Sequence, residues 1–303
     1  MTPEKPDPKP SLSEFRGWMG ARLRGQDTVL DAFCAHLLRS EQSLTQPGLP
    51  KGGFLCVGPT GVGKTELCIL FAAYFFGSER FARFDMAEYK ELTDIAVFRD
   101  RVVSAWQKGV RVFLFDEIEK GHLGALDLLL ALLSAARMTN SENQTADFGD
   151  SYFFMTSNLG AAQAMELRTR NRVAFERTIR YHVEQSIKKP EIIARIELVG
   201  AILVFDRLGR KEQENVAQVG IEKQLKRFAE LGHDLQISAD ALRWLIENGI
   251  NEKYGARPLL ALMSRELEGA LGRELIVRPE GSKIKGRFVP ADRNSGLEIS
   301  VKT

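Results

Sequence analysis

Short continuous apolar runs alternate along the first two thirds of the chain with stretches whose apolar residues recur every three or four positions. Residues 53–57, Gly-Phe-Leu-Cys-Val, have the unbroken apolar pattern of a buried strand, and residues 66–76 read as a helix. The pattern then repeats. Residues 81–86 form a short strand that ends in acidic residues. Residues 91–107 form a helix with Ile95, Phe98, Val102 and Trp106 on one face, and residues 110–115 a strand. A leucine-rich helix follows over 123–136 and a strand over 151–156, with residues 198–205 as a further strand candidate. Residues 139–149 are polar and are expected to form a loop. Strands alternating with helices predict an α/β fold with a mainly parallel sheet and helices on both faces. Such sheets bind ligands beyond the carboxyl ends of their strands. Gly58, Asp116 and Asn158 all fall at that end, so one site can gather them.

Helical spacing also marks residues 11–40, through Phe15, Trp18, Met19, Leu30, Phe33, Leu37 and Leu38. Gly25-Gln26-Asp27 interrupts it, and Asp27 or Thr28 is a candidate cap for the second helix. From residue 206 the pattern changes to amphipathic helices over 211–231, 238–248 and 258–275, closed by strands over 284–289 and 297–301. The expected organisation is a proline-rich, disordered tail over 1–10, a large domain over 11–205, and a smaller, mostly helical domain over 206–303.

The bulk composition narrows the class little. Of 303 residues, 44% are hydrophobic and 27% charged, an ordinary globular mixture, and the net charge of +2 does not by itself point to nucleic acid or a membrane surface. Cys34, Cys56 and Cys68 lack metal-ligand spacing. The longest apolar run, around 125–136, carries Asp127 and is shorter than a membrane span. With no secretory pattern at the start, a reducing, cytoplasmic setting is expected.

The strongest chemical signal is Gly58-Pro59-Thr60-Gly61-Val62-Gly63-Lys64-Thr65, between the first strand and its helix. Strand, glycine-rich loop with Lys-Thr, then helix is the context of a phosphate-binding loop. Backbone N–H groups of such a loop form an anion-binding concavity at a helix N-terminus. Lys64 adds a positive charge for the β- and γ-phosphates, and the Thr65 hydroxyl is a ligand for Mg²⁺. Glu66 completes the group expected to meet nucleotide. Asp116-Glu117 follows an apolar strand and supplies the acidic partner. Asp116 can hold Mg²⁺, and Glu117 is placed to act as general base on a water. Read alone, that pair is equally well explained as an acidic helix start; beside a full phosphate loop the catalytic reading prevails. Arg168, Arg170, Arg172, Arg177, Arg180, Lys188 and Lys189 form a basic run. A solvated helix face explains it better than nucleic-acid binding does.

These blocks together resemble an AAA+ ATPase of the Clp family, in particular the C-terminal ATPase module of ClpB-type disaggregases. The resemblance rests on Gly25-Gln26-Asp27, the loop around Lys64, Phe84-Asp85-Met86-Ala87-Glu88-Tyr89 and Phe115-Asp116-Glu117-Ile118-Glu119-Lys120. It continues through Asp147-Phe148, Met155-Thr156-Ser157-Asn158-Leu159-Gly160, Pro190-Glu191-Ile192-Ile193-Ala194-Arg195-Ile196 and Tyr254-Gly255-Ala256-Arg257-Pro258-Leu259. It covers roughly residues 15–303 and implies a P-loop AAA+ three-layer domain followed by a small lid domain. It also implies ATP and Mg²⁺ as cofactors and a homo-oligomer, expected to be a hexameric ring, that remodels a protein partner. By position, Asn158 resembles the sensor-one residue, Arg195 the arginine finger that reaches a neighbouring subunit's nucleotide, and Arg257 the sensor-two arginine.

Three departures accompany the resemblance. Residues 89–110 hold no Gly-aromatic-Val-Gly pore loop, no separate substrate-binding domain or second ATPase module is expected in front, and no Ile-Gly-Phe or Ile-Gly-Leu loop is present for a ClpP-type peptidase. Arg24 also stands where the family usually has an apolar residue near the adenine. An ATP-driven motor is therefore weighed against an ATP-gated scaffold and a DNA-associated loader.

Overall fold

The structure is a computed structural model that describes residues 11–41, 46–161, 172–187, 189–251, 255–291 and 296–301. The chain divides into two compact units, one of residues 1–59 and 63–206, the other of 60–62 and 207–303.

The first unit is built on strands β1 (Gly52–Val57), β2 (Phe81–Asp85), β3 (Val112–Asp116), β6 (Tyr152–Ser157) and β7 (Gly200–Val204), in spatial order β2-β3-β6-β1-β7 and all parallel. Every residue of β1, β3 and β6 is buried. A parallel strand covered on both faces has no solvent side, which is why these segments read as continuous apolar runs.

One face of the sheet is closed by aromatic packing. Helices α2 (Asp27–Glu41) and α3 (Lys64–Phe75) bring Phe33 and Phe71 onto Phe54 and Phe154, and Phe15 of α1 (Leu12–Arg22) packs on Phe33 and Phe71. Ser11 caps α1 by accepting from the N–H of Ser13, and Asp27 is the first residue of α2. The other face carries α4 (Asp94–Gln107), α5 (Leu123–Ala135) and α7 (Glu191–Val199). There Phe98, Leu126, Leu129, Leu133, Ile192 and Ile196 join Leu55, Phe113, Phe115 and Met155 in one core. Helix α6 spans Arg172–Ser186.

Two local expectations fail. Residues 139–149 are not simply a loop, because β4 (Arg137–Thr139) and β5 (Thr145–Asp147) form an antiparallel hairpin. Met138 and Ala146 are buried while their neighbours are exposed, a two-residue period too brief to notice among polar residues. The side chain of Asn140 closes the turn by accepting from the N–H groups of Glu142 and Gln144. Asp100 and Arg99 of α4 tie it down through Ser141. Leu198 also lies in α7, so the last strand starts only at Gly200.

The second unit contains α8 (Arg210–Glu230), β8 (Asp234–Ile237), α9 (Ala239–Gly249), α10 (Arg257–Ile276), β9 (Lys285–Pro290) and β10 (Leu297–Val301). Ser238 caps α9 through the N–H of Ala241, and Pro258 sits in the first turn of α10, where no hydrogen-bond donor is needed. Ala217, Ile221, Leu245, Leu259, Met263, Leu267 and Phe288 form its core. Strand β8 was not expected; it lies parallel to β9 and makes a three-stranded sheet with β10. Among the described residues no helix is long and apolar enough to cross a membrane.

Candidate functional site

Three parallel strands end side by side, and the polar residues following them converge. Lys64 opens α3 directly after the glycine-rich loop. Gly58, Gly61 and Gly63 have φ of 143°, 78° and 106°, conformations that L side chains rarely adopt. A Cβ on Gly58 would stand 2.8 Å from the carbonyl oxygen of Phe205, and one on Gly63 would stand 2.5 Å from Leu23 Cδ1. The glycines therefore permit both the turn and its close fit. Gln26, buried, fastens the segment after β7 with a two-point amide clamp on the backbone N–H and C=O of Asp206, each at 2.9 Å.

The ammonium of Lys64 donates to the carbonyls of Gly58 (2.5 Å) and Pro59 (2.9 Å) and to Asn158 Oδ1 (2.7 Å). Burial pushes its pKa down to about 8, partly offset by Cys56, Glu119, Asp116 and Glu117 nearby. A cation held this way is desolvated, and an arriving anion meets it without first stripping a water shell.

Asp116 ends β3 and is buried. Its Oδ1 accepts from the hydroxyl of Thr156 and its Oδ2 from the guanidinium of Arg83. Thr156 Oγ1 in turn accepts from the N–H of Glu117 at 2.9 Å. Glu117 is held in the left-handed region, φ 56° and ψ 57°. A non-glycine residue there costs roughly 1–3 kcal/mol and persists only where its surroundings enforce it. The result is to aim its carboxylate along the strand ends, where Oε1 accepts from Asn158 Nδ2 (3.2 Å) and Oε2 pairs with Lys120 (2.5 Å). Asn158 thus sits between Lys64 and Glu117, touching both. Its own N–H donates to Glu119 Oε1 at 3.1 Å, while Glu119 Oε2 is buried without a hydrogen-bond partner among the described residues.

Lys64, Asp116, Glu117 and Asn158 are therefore brought together. Thr65 and Glu66 follow Lys64 in the first turn of α3. Arg195 lies elsewhere: Ile192, Ile193, Ile196 and Val199 bury one side of α7, and Arg195 is exposed on the other with no ion pair among the described residues. Arg257 is the exposed first residue of α10, in the second unit. Of the basic run, Arg168 and Arg170 lie outside the described residues, as does Lys188. Arg180 is paired with Glu197 and Lys189 with Asp127, so part of its charge is already neutralised.

Arg83, Thr156, Glu119 and Lys120 were not among the expected site residues. Strand order brings in Arg83 and Thr156 and sets Glu119 against Asn158, whereas Lys120 meets Glu117 locally, three residues along the chain. Thr156 carried one legible signal, a polar residue inside an otherwise apolar strand two positions before Asn158.

A family model described as an AAA domain (Cdc48 subfamily) matches residues 49–199, and one for the C-terminal, D2-small domain of ClpB protein matches residues 208–285. The chain is 33% identical over 290 residues to the chaperone protein ClpB of Pseudomonas putida, covering 89% of this chain and 32% of the relative. It is 35% identical over 276 residues to the ClpB of Meiothermus ruber, covering 84% and 31%. An ATP-dependent Clp protease ATP-binding subunit ClpA homolog of Cyanidium caldarium is 32% identical over 307 residues, covering 92% and 35%. The chain spans about a third of the length of these curated relatives.

Proposed function

The chain belongs to the Clp family of AAA+ ATPases, and we propose that it binds ATP with Mg²⁺ at the loop between β1 and α3 and hydrolyses the terminal phosphate. The observation that carries this reading is the unbroken path from Lys64 through Asn158 to Glu117. It links the phosphate-binding cation to the candidate base. Charge spreads over the γ-phosphate oxygens in the transition state, so catalysis is mostly placement of cations and of the attacking water. Lys64 and the loop amides hold the phosphates. Glu117 accepts a proton from the attacking water, and Asn158 fixes Glu117 and that water in register.

The donor set suits Mg²⁺. Thr65 Oγ1 and the Asp116 carboxylate are hard oxygen ligands, and no group of three or more His, Cys, Asp or Glu residues among the described residues forms a cage of its own. Mg²⁺ is ordinarily held in this manner, by one or two protein oxygens together with substrate phosphates. When bound it neutralises charge on the phosphates.

In this reading Arg195 serves a neighbouring subunit, in keeping with its exposure away from the cluster, and Arg257 serves as the sensor-two arginine. The assembly is a homo-oligomer, proposed as a hexameric ring, and hydrolysis does conformational work on a protein partner other than a ClpP-type peptidase. The test is ATP binding and phosphate release by wild type and Lys64→Ala, with the rate per subunit followed against protein concentration for wild type and Arg195→Ala. The reading requires that Lys64→Ala lose binding. It also requires a rate per subunit that rises with concentration and collapses in Arg195→Ala. Wild type that never binds ATP would end the proposal, and a concentration-independent rate indifferent to Arg195 would end the trans-acting role.

A further inference from the structure

Strand register places a fixed cation against the carboxylate expected to meet the metal. Arg83 of β2 is aligned with Leu114 of β3, and Asp116 stands two residues further along the same face. Diagonal neighbours of this kind are about 7–8 Å apart at Cα, a span that a guanidinium bridges and a short side chain does not. The two are in direct ion-pair contact. The exposures of the partners differ: the Asp116 side chain is 11% exposed and that of Arg83 53%. The carboxylate is therefore anchored, and the arginine is the partner free to move.

Asp116 has little freedom to turn aside. Thr156 donates to its other oxygen, and the same hydroxyl accepts from the Glu117 N–H, so rotating the carboxylate would disturb the backbone that aims Glu117. The remaining acids of the cluster are engaged differently: Glu117 has Lys120 and Asn158, and Glu119 has the Asn158 N–H. Among the described residues, Asp116 has the one arginine of the cluster, held on it across adjacent strands.

A divalent cation seeking Asp116 meets a positive charge already placed on Oδ2. We infer that Arg83 is a positioning residue that competes with Mg²⁺ for Asp116 and thereby sets how much metal the site requires. The inference rests on the proposed Mg²⁺–ATP reading. It assigns Arg83 no contact with the reacting atoms: the guanidinium holds the carboxylate in place and yields one oxygen as metal arrives with nucleotide.

The test is metal binding, read without turnover. Mn²⁺ binding to the full chain with saturating ADP is measured by electron paramagnetic resonance for wild type, Arg83→Ala, Arg83→Lys and the double variant Arg83→Ala/Asp116→Asn. Loss of a charge-assisted contact that opposes the metal should tighten Mn²⁺ binding in Arg83→Ala on the order of tenfold. Arg83→Lys, which keeps the charge but loses the planar fork, should fall between. The double variant should lose the gain, because the competition is over Asp116. Thermal melting should also respond: Mg²⁺ without nucleotide should raise the melting temperature of Arg83→Ala more than that of wild type. If Arg83→Ala does not fold, Arg83→Lys and Arg83→Gln carry the same comparison. Folded variants that bind ADP as wild type does, with equal or weaker Mn²⁺ affinity, would overturn this inference and leave the ATPase reading standing. Failure of wild type to bind ADP at all would instead remove the ATPase reading.

Discussion

The ammonium of Lys64 donates to the side-chain oxygen of Asn158 across 2.7 Å, joining the loop after β1 to the end of the neighbouring strand β6. Asn158 then hands the contact on to Glu117 at the end of β3. Three strand ends are thereby coupled through one amide.

Asn158→Ala should separate chemistry from binding. Of the two hydrogen bonds it removes, the one to Glu117 bears on hydrolysis and is worth about 1.5–3 kcal/mol, so hydrolysis should slow roughly 10–100-fold. Affinity for ATP should change far less, because the loop amides and Lys64 remain. Steady-state rates beside the affinity for a fluorescent ATP analogue check this; an equal loss in both would place Asn158 in phosphate binding instead.

The depressed pKa of Lys64, about 8, should appear in nucleotide binding. Anionic phosphate favours the ammonium form and raises that pKa again. Below about pH 8 the lysine is already charged and its contribution is flat. Above it, binding must take up a proton, so affinity falls as pH rises. Calorimetry at about pH 7 and about pH 9, in buffers of differing ionisation enthalpy, should show proton uptake only at the higher pH.

Stability should respond to the acid side through His36. Its Nε2 lies 3.2 Å from the Val199 carbonyl, and Arg39 sits 2.9 Å from Nδ1. Burial first, then the charge of Arg39, lowers its pKa below the ordinary 6.5. The folded state thus favours neutral imidazole, and the unfolded chain binds more protons. Stability is fully present above about pH 6.5 and declines as pH falls through the lowered value. His233, also lowered by burial and by Lys283, adds a change of the same sign. Melting temperatures of wild type and His36→Gln between about pH 8 and about pH 5 measure this, and the substitution should flatten the decline.

Gly58→Ala should destabilise by roughly 1–3 kcal/mol, since φ is 143° and the added methyl would meet the carbonyl of Phe205 at 2.8 Å. Urea denaturation measures the loss. A neutral result would show that the loop relaxes more freely than its packing implies.

The parallel sheet was legible because β1, β3 and β6 are buried on both faces, leaving runs of apolar residues that only a strand of that length explains. The phosphate loop and Asp116-Glu117 were legible because their chemistry lies in contiguous residues. The hairpin of β4 and β5 and strand β8 were not, since three or four residues among polar neighbours carry too short a period. The contacts of Arg83 and Thr156 with Asp116 were illegible for another reason: each residue reaches it from a different strand, and only the order β2-β3-β6 makes them its neighbours. Local chemistry showed in the sequence, and contacts made by register did not.

The most direct measurement for the account is ATP binding and phosphate release determined on the same preparations of wild type and Glu117→Gln. The variant should bind ATP as wild type does and hydrolyse it on the order of a hundredfold or more slowly, as loss of a general base requires. Equal hydrolysis by the two proteins would contradict it, as would a wild type that binds ATP and releases no phosphate.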